Sequence, residues 1–162
     1  VLCLADRSLF WIEEDVTLTT GSSIGKSKQI TVGKDVTVVT VSSCLQMVKE
    51  ILADIEKSGI SAEVIDIRSV VPLDMKPILE SVKKTGRVVI CDTAGRTGSV
   101  ASEIAARLGQ DAFYDLKAPI QIVAGEDSPV PFTKILEEEV LVTKEKILRK
   151  ITTAMANSKQ TV

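Results

Sequence analysis

The sequence predicts an α/β protein, a three-layer α/β/α sandwich around a mostly parallel sheet. Three observations carry that expectation. Apolar, β-branched runs alternate with amphipathic helical patterns three times: Val36–Val41 before 44–58, Ala62–Ile67 before 75–84, and 88–91 before 100–108. The connections are short, so each unit returns the chain to a parallel neighbour, with helices over both faces. Apolar residues make up 44% of the chain but aromatics only 3%. The core is therefore Val, Ile, Leu and Ala, the composition of strands buried on both faces.

In chain order, residues 1–5 form a short apolar run and a strand candidate. The chain opens on it with neither Met nor a signal-peptide pattern, as though cut from something longer. Leu9, Phe10 and Trp11 then expose apolar surface unless something covers them. Residues 13–23 are acidic and then rich in Thr, Ser and Gly, the composition of a linker, with a boundary near 21–25. Residues 26–32 alternate weakly and suit an edge strand, with an antiparallel direction allowed. After the turn Gly33-Lys34-Asp35 comes Val36–Val41, the strongest strand. Ser42 and Ser43 are placed to cap the helix over 44–58, whose apolar face is Leu45, Val48, Ile51, Leu52 and Ile55, and which Gly59 ends. Strand Ala62–Ile67 is interrupted by Asp66. Asp74 is the expected N-cap of a helix over 75–84, with Pro77 in its first turn and Ile78, Leu79 and Val82 facing inward. Gly86 closes that helix. Strand 88–91 leads into a glycine turn, 92–99, and a helix on Val100, Ile104 and Leu108 that Gly109 is expected to end. A further strand spans 120–124. A turn-rich loop and two helices follow, over 132–141 and 143–155, the second capped by Thr143.

Bulk properties exclude several classes of function. At 162 residues the chain is about one domain. Lys and Arg number 20 against 22 Asp and Glu, a net charge of −2, so no nucleic-acid footprint is present. No apolar run approaches the roughly 20 residues of a membrane helix. The three cysteines are distant and odd in number, which suits reduced thiols. There is no histidine. A Ser-His or Cys-His mechanism has no base here, and no cysteine–carboxylate cluster has metal-site spacing.

Four features compete as sites. The turn Asp92–Ser99 joins a strand to a helix amino end, where glycines let backbone approach phosphate. Its spacing matches neither the dinucleotide fingerprint nor the P-loop, and Gly25-Lys26-Ser27 lacks the glycine five residues earlier. A tight turn capped by Thr97 or Ser99 is the simpler reading. Asp66 and Arg68 share a strand face, and an orienting salt bridge is favoured over a proton-transfer carboxylate. Glu137, Glu138 and Glu139 read as a solvated helix face. Residues 1–11 are either an edge strand of this domain or a docking surface.

Four stretches together resemble one family. They are Ile24-Gly25-Lys26-Ser27-Lys28 ahead of Gly33-Lys34-Asp35-Val36-Thr37-Val38-Val39-Thr40; Glu63-Val64-Ile65-Asp66-Ile67-Arg68-Ser69-Val70-Val71-Pro72-Leu73-Asp74; Gly95-Arg96-Thr97-Gly98 with Glu103-Ile104-Ala105-Ala106; and Ala118-Pro119 through Val123-Ala124-Gly125-Glu126-Asp127-Ser128-Pro129-Val130-Pro131-Phe132. Their order and spacing resemble the transketolase C-terminal-like domain of the β subunit of thiamine-diphosphate-dependent 2-oxo acid dehydrogenases, of the pyruvate and branched-chain type.

The resemblance implies the following. The sheet has five strands. Residues 1–23 are the end of a preceding pyrimidine-binding domain plus linker, 24–156 the domain proper, and 157–162 a tail. The domain is structural and is not catalytic alone. It binds neither cofactor nor metal; thiamine diphosphate and Mg2+ belong to the parent enzyme. Partners are the amino-terminal domain of the same subunit, the α subunit, a second β subunit and, in some complexes, the acyltransferase core, with no nucleic acid and no membrane. The compartment is the bacterial cytoplasm or the mitochondrial matrix. Interface residues are then expected at Asp92, Arg96, Glu103, Phe10 and Trp11, and structural roles at Asp66, Arg68, Pro72 and Asp74. Two alternatives stand: the equivalent domain of a transketolase or deoxyxylulose-phosphate synthase, and a stand-alone α/β module binding a small anion at 92–99.

Overall fold

The computed structural model describes residues 2–13 and 23–156. Most of the linker and all of the tail expected from the sequence lie outside the described residues. The regular elements are β1 (Lys28–Gln29), β2 (Val36–Val41), α1 (Cys44–Lys57), β3 (Ala62–Ile67), α2 (Lys76–Thr85), β4 (Val88–Gly95), α3 (Val100–Asp111), β5 (Gln121–Gly125), α4 (Lys134–Val140) and α5 (Lys144–Ala156). The sheet order is β1-β3-β2-β4-β5; β1 is antiparallel to β3 and the other pairs are parallel.

The two faces follow from strand alternation. Val36 and Val38 of β2, Val64 of β3, Val89 and Cys91 of β4 and Val123 of β5 face α1 and α5. Val39, Ile65, Ile67, Val88 and Ile90 face α2 and α3. The amphipathic stripe of α1 buries Cys44, Val48, Ile51 and Ile55. Burial of each aliphatic chain is worth about 1.5–3 kcal/mol, which is why the 3.6-residue pattern of this stretch becomes a helix. Chain direction across the sheet reverses after β3, and the covering helices change face with it, as crossovers of one hand require.

Gly33 is dictated by close approach. A Cβ there would lie 2.2 Å from the carbonyl carbon of Ala62 and 2.3 Å from the nitrogen of Glu63. The core also contains polar clusters. Thr37 Oγ1 meets Ser81 Oγ at 2.7 Å and Thr85 Oγ1 at 2.8 Å, all three buried between β2 and α2. The buried Glu63 carboxylate accepts from Lys84 Nζ and from the Gly33 N–H.

Several expectations need correction. Residues 2–6 form no strand; a 3-10 turn, Arg7–Trp11, follows them. Leu2 and Leu4 stay exposed, and with no neighbouring strand their backbone groups have no ladder to join. Asp74 does not cap α2, which starts after Met75 with no side-chain cap bond. Its carboxylate instead accepts from the Ser27 N–H at 3.1 Å and its carbonyl from Ser27 Oγ at 3.2 Å. Ser43 makes no cap bond to α1 because its hydroxyl is directed at Asp6. Helix α3 runs through Gly109 to Asp111. Gly109, Gln110 and Asp111 are exposed, and the helix carries the cost of the glycine, about 1 kcal/mol, to the buried Ala112, whose N–H donates to the Leu108 carbonyl at 2.9 Å. Helix α4 starts at Lys134, two residues later than expected, and buries none of its side chains.

Candidate functional site

In a sheet of this kind the crevice forms where neighbouring strands send their connections to opposite sides. Here those strands are β2, leaving through α1, and β4, leaving through α3. Ser42, at φ +55°, and Ser43 form one lip, and Asp92–Ser99 the other. The amino-terminal segment runs across the opening. Ser43 Oγ donates to Asp6 Oδ2 at 2.5 Å, and the Ser8 N–H and Oγ donate to Asp6 Oδ1 at 2.9 and 2.7 Å. The Ser43 bond first, and the Ser8 bonds after it, hold the Asp6 carboxyl below its ordinary range. Beneath the segment lies a cleft of about 790 Å³, with Leu4, Leu9 and Ile12 on one wall and Leu45, Ile67 and Val70 on the other.

The glycine turn is stapled shut. Asp92 is buried, and its carboxylate accepts from the Ala94 N–H at 3.1 Å and the Ala101 N–H at 3.2 Å. Ser99 Oγ accepts from the Ser102 N–H at 3.2 Å, and Ser102 Oγ donates to the Arg96 carbonyl at 2.6 Å. Across the turn, Asp127 accepts from the Thr97 N–H at 3.0 Å and from Thr97 Oγ1 at 2.5 Å. The Arg96 N–H reaches the Gly125 carbonyl at 3.1 Å. Gly98 takes φ +71°, the left-handed region that glycine adopts without strain, to turn the chain into α3.

This removes the ground for an anion site. Backbone donors at the amino end of α3 already serve Asp92 and Ser99, which together play the part a phosphate would play. Asp92, expected at an interface, is buried, with its carboxylate bonded inside the fold. Arg96 and Glu103 are exposed, Glu103 accepting from Arg107 Nε at 2.7 Å. Phe10 and Trp11 are exposed as well.

Arg68 Nε donates to Asp66 Oδ2 at 3.3 Å at the cleft rim. Burial nevertheless raises the Asp66 pKa, against the attraction of Arg68, Lys49 and Lys28. Pro72 packs against the loop before β1, where a Cβ on Gly25 would lie 2.9 Å from Pro72 Cγ. Pro72 and Asp74 thus hold residues 25–27 to the exit of β3.

Large exposed apolar side chains concentrate on this edge. Phe10, Trp11, Val70, Val71, Phe132 and Ile135 all lie on segments that cross or leave the carboxyl ends of the strands. At the opposite edge, among the described residues, only Val32, Phe113 and Tyr114 are large, apolar and exposed. No group of three or more Cys, Asp or Glu among the described residues is placed to hold a metal ion. No described helix is long and apolar enough to cross a membrane.

Sequence reasoning missed the Asp6–Ser43 bond, the Asp127–Thr97 staple and the Glu63–Lys84 pair. Their members are 37, 30 and 21 residues apart, beyond any local pattern. Asp127 alone carried a cue, as a turn-type residue between Gly125 and Pro129.

The comparisons agree with this architecture. The family described as transketolase, C-terminal domain, matches residues 25–147. The chain is 38% identical over 125 residues to the 2-oxoisovalerate dehydrogenase subunit beta of Bacillus subtilis, covering 76% of this chain and 38% of that protein. It is 36% identical over 157 residues to the pyruvate dehydrogenase E1 component subunit beta of Leifsonia xyli subsp. xyli, covering 96% of this chain and 46% of that one. The chain therefore spans less than half the length of these relatives. A solved split-gene transketolase, described as an inactive beta4 tetramer, superposes with a TM-score of 0.76 at 25% identity, over 91% of this chain and 47% of that one. With the family matched from the loop before β1 into α5, over the sheet and the helices on both its faces, the chain belongs to the transketolase C-terminal domain family.

Proposed function

We propose that this chain is the assembly domain of the β subunit of a thiamine-diphosphate-dependent 2-oxo acid dehydrogenase, supplying subunit contacts rather than catalytic groups. One observation carries the reading: exposed apolar side chains collect on the carboxyl edge, where the ligand crevice of an α/β sheet would lie, while the polar groups of that edge are bonded to one another. Such a surface suits protein contact. Residues 1–23 are then the end of a preceding domain and its linker, and 24–156 the domain proper.

The side chains here do not fit thiamine diphosphate. Donors at the amino end of α3 are already engaged, and no carboxylate cluster among the described residues suits the accompanying Mg2+. The cofactor belongs to the other domains of the parent enzyme. Partners are the amino-terminal part of the same subunit, the α subunit, a second β subunit and, in some complexes, the acyltransferase core. The working compartment is the bacterial cytoplasm or the mitochondrial matrix. Relatives at 36–38% identity named as dehydrogenase β subunits favour this reading over a transketolase.

The test is a graft. Residues 2–156 replace the matching stretch of the Leifsonia xyli pyruvate dehydrogenase β subunit, co-expressed with its α subunit. The chimera is expected to assemble. Trp11→Ser, at a position 83% exposed, should leave the chain's own stability unchanged but weaken assembly by about 30-fold, as loss of an aromatic anchor does. Thiamine diphosphate titrated calorimetrically into the chain alone should give no heat; micromolar binding there would overturn the reading.

A further inference from the structure

Residues 126–141 form an arm that leaves β5 and returns to α5. Gly125 and Val142 at its two ends are buried, but no residue between them is. Asp127 staples its start to Thr97. Its middle carries Val130, Phe132, Ile135 and Leu136, all exposed. Helix α4, within the arm, has little reason to form by itself. It is seven residues long, shorter than the roughly 12–15 residues below which isolated helices are marginal in water. Thr133 makes no side-chain cap bond at its start. Glu137, Glu138 and Glu139 crowd its carboxyl half, where the helix dipole disfavours anions.

The helix is held from outside, by Lys146 in the first turn of α5. Its ammonium donates to the carbonyls of Glu138 at 2.9 Å, Glu139 at 2.6 Å and Leu141 at 2.7 Å. The Leu141 N–H donates to the Glu137 carbonyl and the Glu126 N–H to the Val140 carbonyl, both at 2.9 Å. Every carbonyl from Glu137 to Leu141, orphaned by the end of a helix, is thereby satisfied, and one side chain serves most of them. Ile147, next to the lysine, is fully buried and fixes its position. We propose that residues 126–141 fold and unfold as one unit with Lys146 as the latch, and that the latched arm is the state competent for subunit assembly. Charge-assisted bonds are the strong class, and these also put a cation where the dipole of α4 needs one. No buried side chain of the arm replaces them. Latched, the arm holds its apolar side chains in one array. Released, those side chains must be ordered again on contact, and association weakens by that cost. The second half of the proposal rests on the assembly reading; the latch does not.

Native-state hydrogen exchange of the 162-residue chain tests the latch. In low denaturant the amides of residues 137–141 should open together, well below the global unfolding transition. Lys146→Met keeps the aliphatic stem and removes the donors. It should speed exchange of those amides at least about tenfold, with the amides of β2 and β4 unchanged. Lys146→Arg keeps a cation and should not. An arm that opens only with global unfolding overturns the proposal, as does a folded methionine variant whose arm exchanges at the parent rate. Should that variant not fold, exchange in the unaltered chain decides. In the Leifsonia xyli chimera, Lys146→Met should weaken assembly at least about tenfold, and Lys146→Arg should preserve it. Full assembly with a released arm overturns the second half of the proposal. A chimera that fails to assemble with Lys146 intact refutes the assembly reading, and the exchange result on the arm then decides the latch by itself.

Discussion

Replacing Asp92 by alanine probes the construction of the β4–α3 turn directly. The carboxylate serves two backbone donors, the N–H groups of Ala94 and Ala101. The two losses are unequal. Ala94 is exposed, so water takes over its N–H at little cost. Ala101 is fully buried, so its N–H is orphaned and bears the desolvation penalty of about 1–3 kcal/mol. Loss of a carboxylate at the amino end of α3 adds about 0.3–1 kcal/mol. Together Asp92→Ala should destabilise the chain by about 1.3–4 kcal/mol, lowering Tm by about 3–16 °C. Asp92→Asn keeps an acceptor oxygen and forfeits chiefly the charge, so it should cost about 1 kcal/mol. Urea unfolding followed by circular dichroism at neutral pH measures both, with an unchanged m-value expected. An alanine variant within about 0.5 kcal/mol of the parent chain, or alanine and asparagine variants of equal stability, would refute the argument. A variant of full stability that fails only in subunit assembly would restore Asp92 as a contact residue.

Two further outcomes follow from buried groups. Burial pushes the Glu63 carboxyl up, but Lys84, the Gly33 N–H and Ser81 together hold it below its ordinary range. A carboxylate depressed in the folded state stabilises above its unfolded pKa, about 4.3, and that stability drains away as pH falls through the folded value. Glu63→Gln should therefore be less stable than the parent at pH 7 and show a flatter loss below about pH 4.3; parallel curves for the two proteins would contradict this. The thiols divide by burial. Cys3 is exposed and Cys44 and Cys91 are buried. Burial, then the nearby Asp92 and Asp6 carboxylates, push the Cys44 thiol up to about 12, and burial raises Cys91 as well. An aromatic disulfide reagent should modify Cys3 alone in the native chain and all three cysteines in urea; rapid native modification of Cys44 would show that the switch-point crevice opens.

What the chain's own pattern determined is local and repeated. The β-branched run Val36–Val41 and the helical spacing Leu45, Val48, Ile51 and Ile55 each name their element, because strand and helix periods are written in consecutive residues. Three such units with short links already imply a parallel sheet in three layers. The tertiary structure alone decided how those units combine. Gly109 signals a helix end locally, yet α3 runs on to Asp111. Asp74 has the spacing of a cap and became a clamp on Ser27. Asp92 looked available and is enclosed by the first turn of α3. Asp6 reaches Ser43, and Asp127 reaches Thr97, only once β2, β4 and β5 lie side by side. Side-chain periodicity reports which face a residue presents; it holds no record of which distant residue arrives there. For that reason the sandwich was legible in the sequence, whereas the stapled carboxyl edge emerged only from strand order.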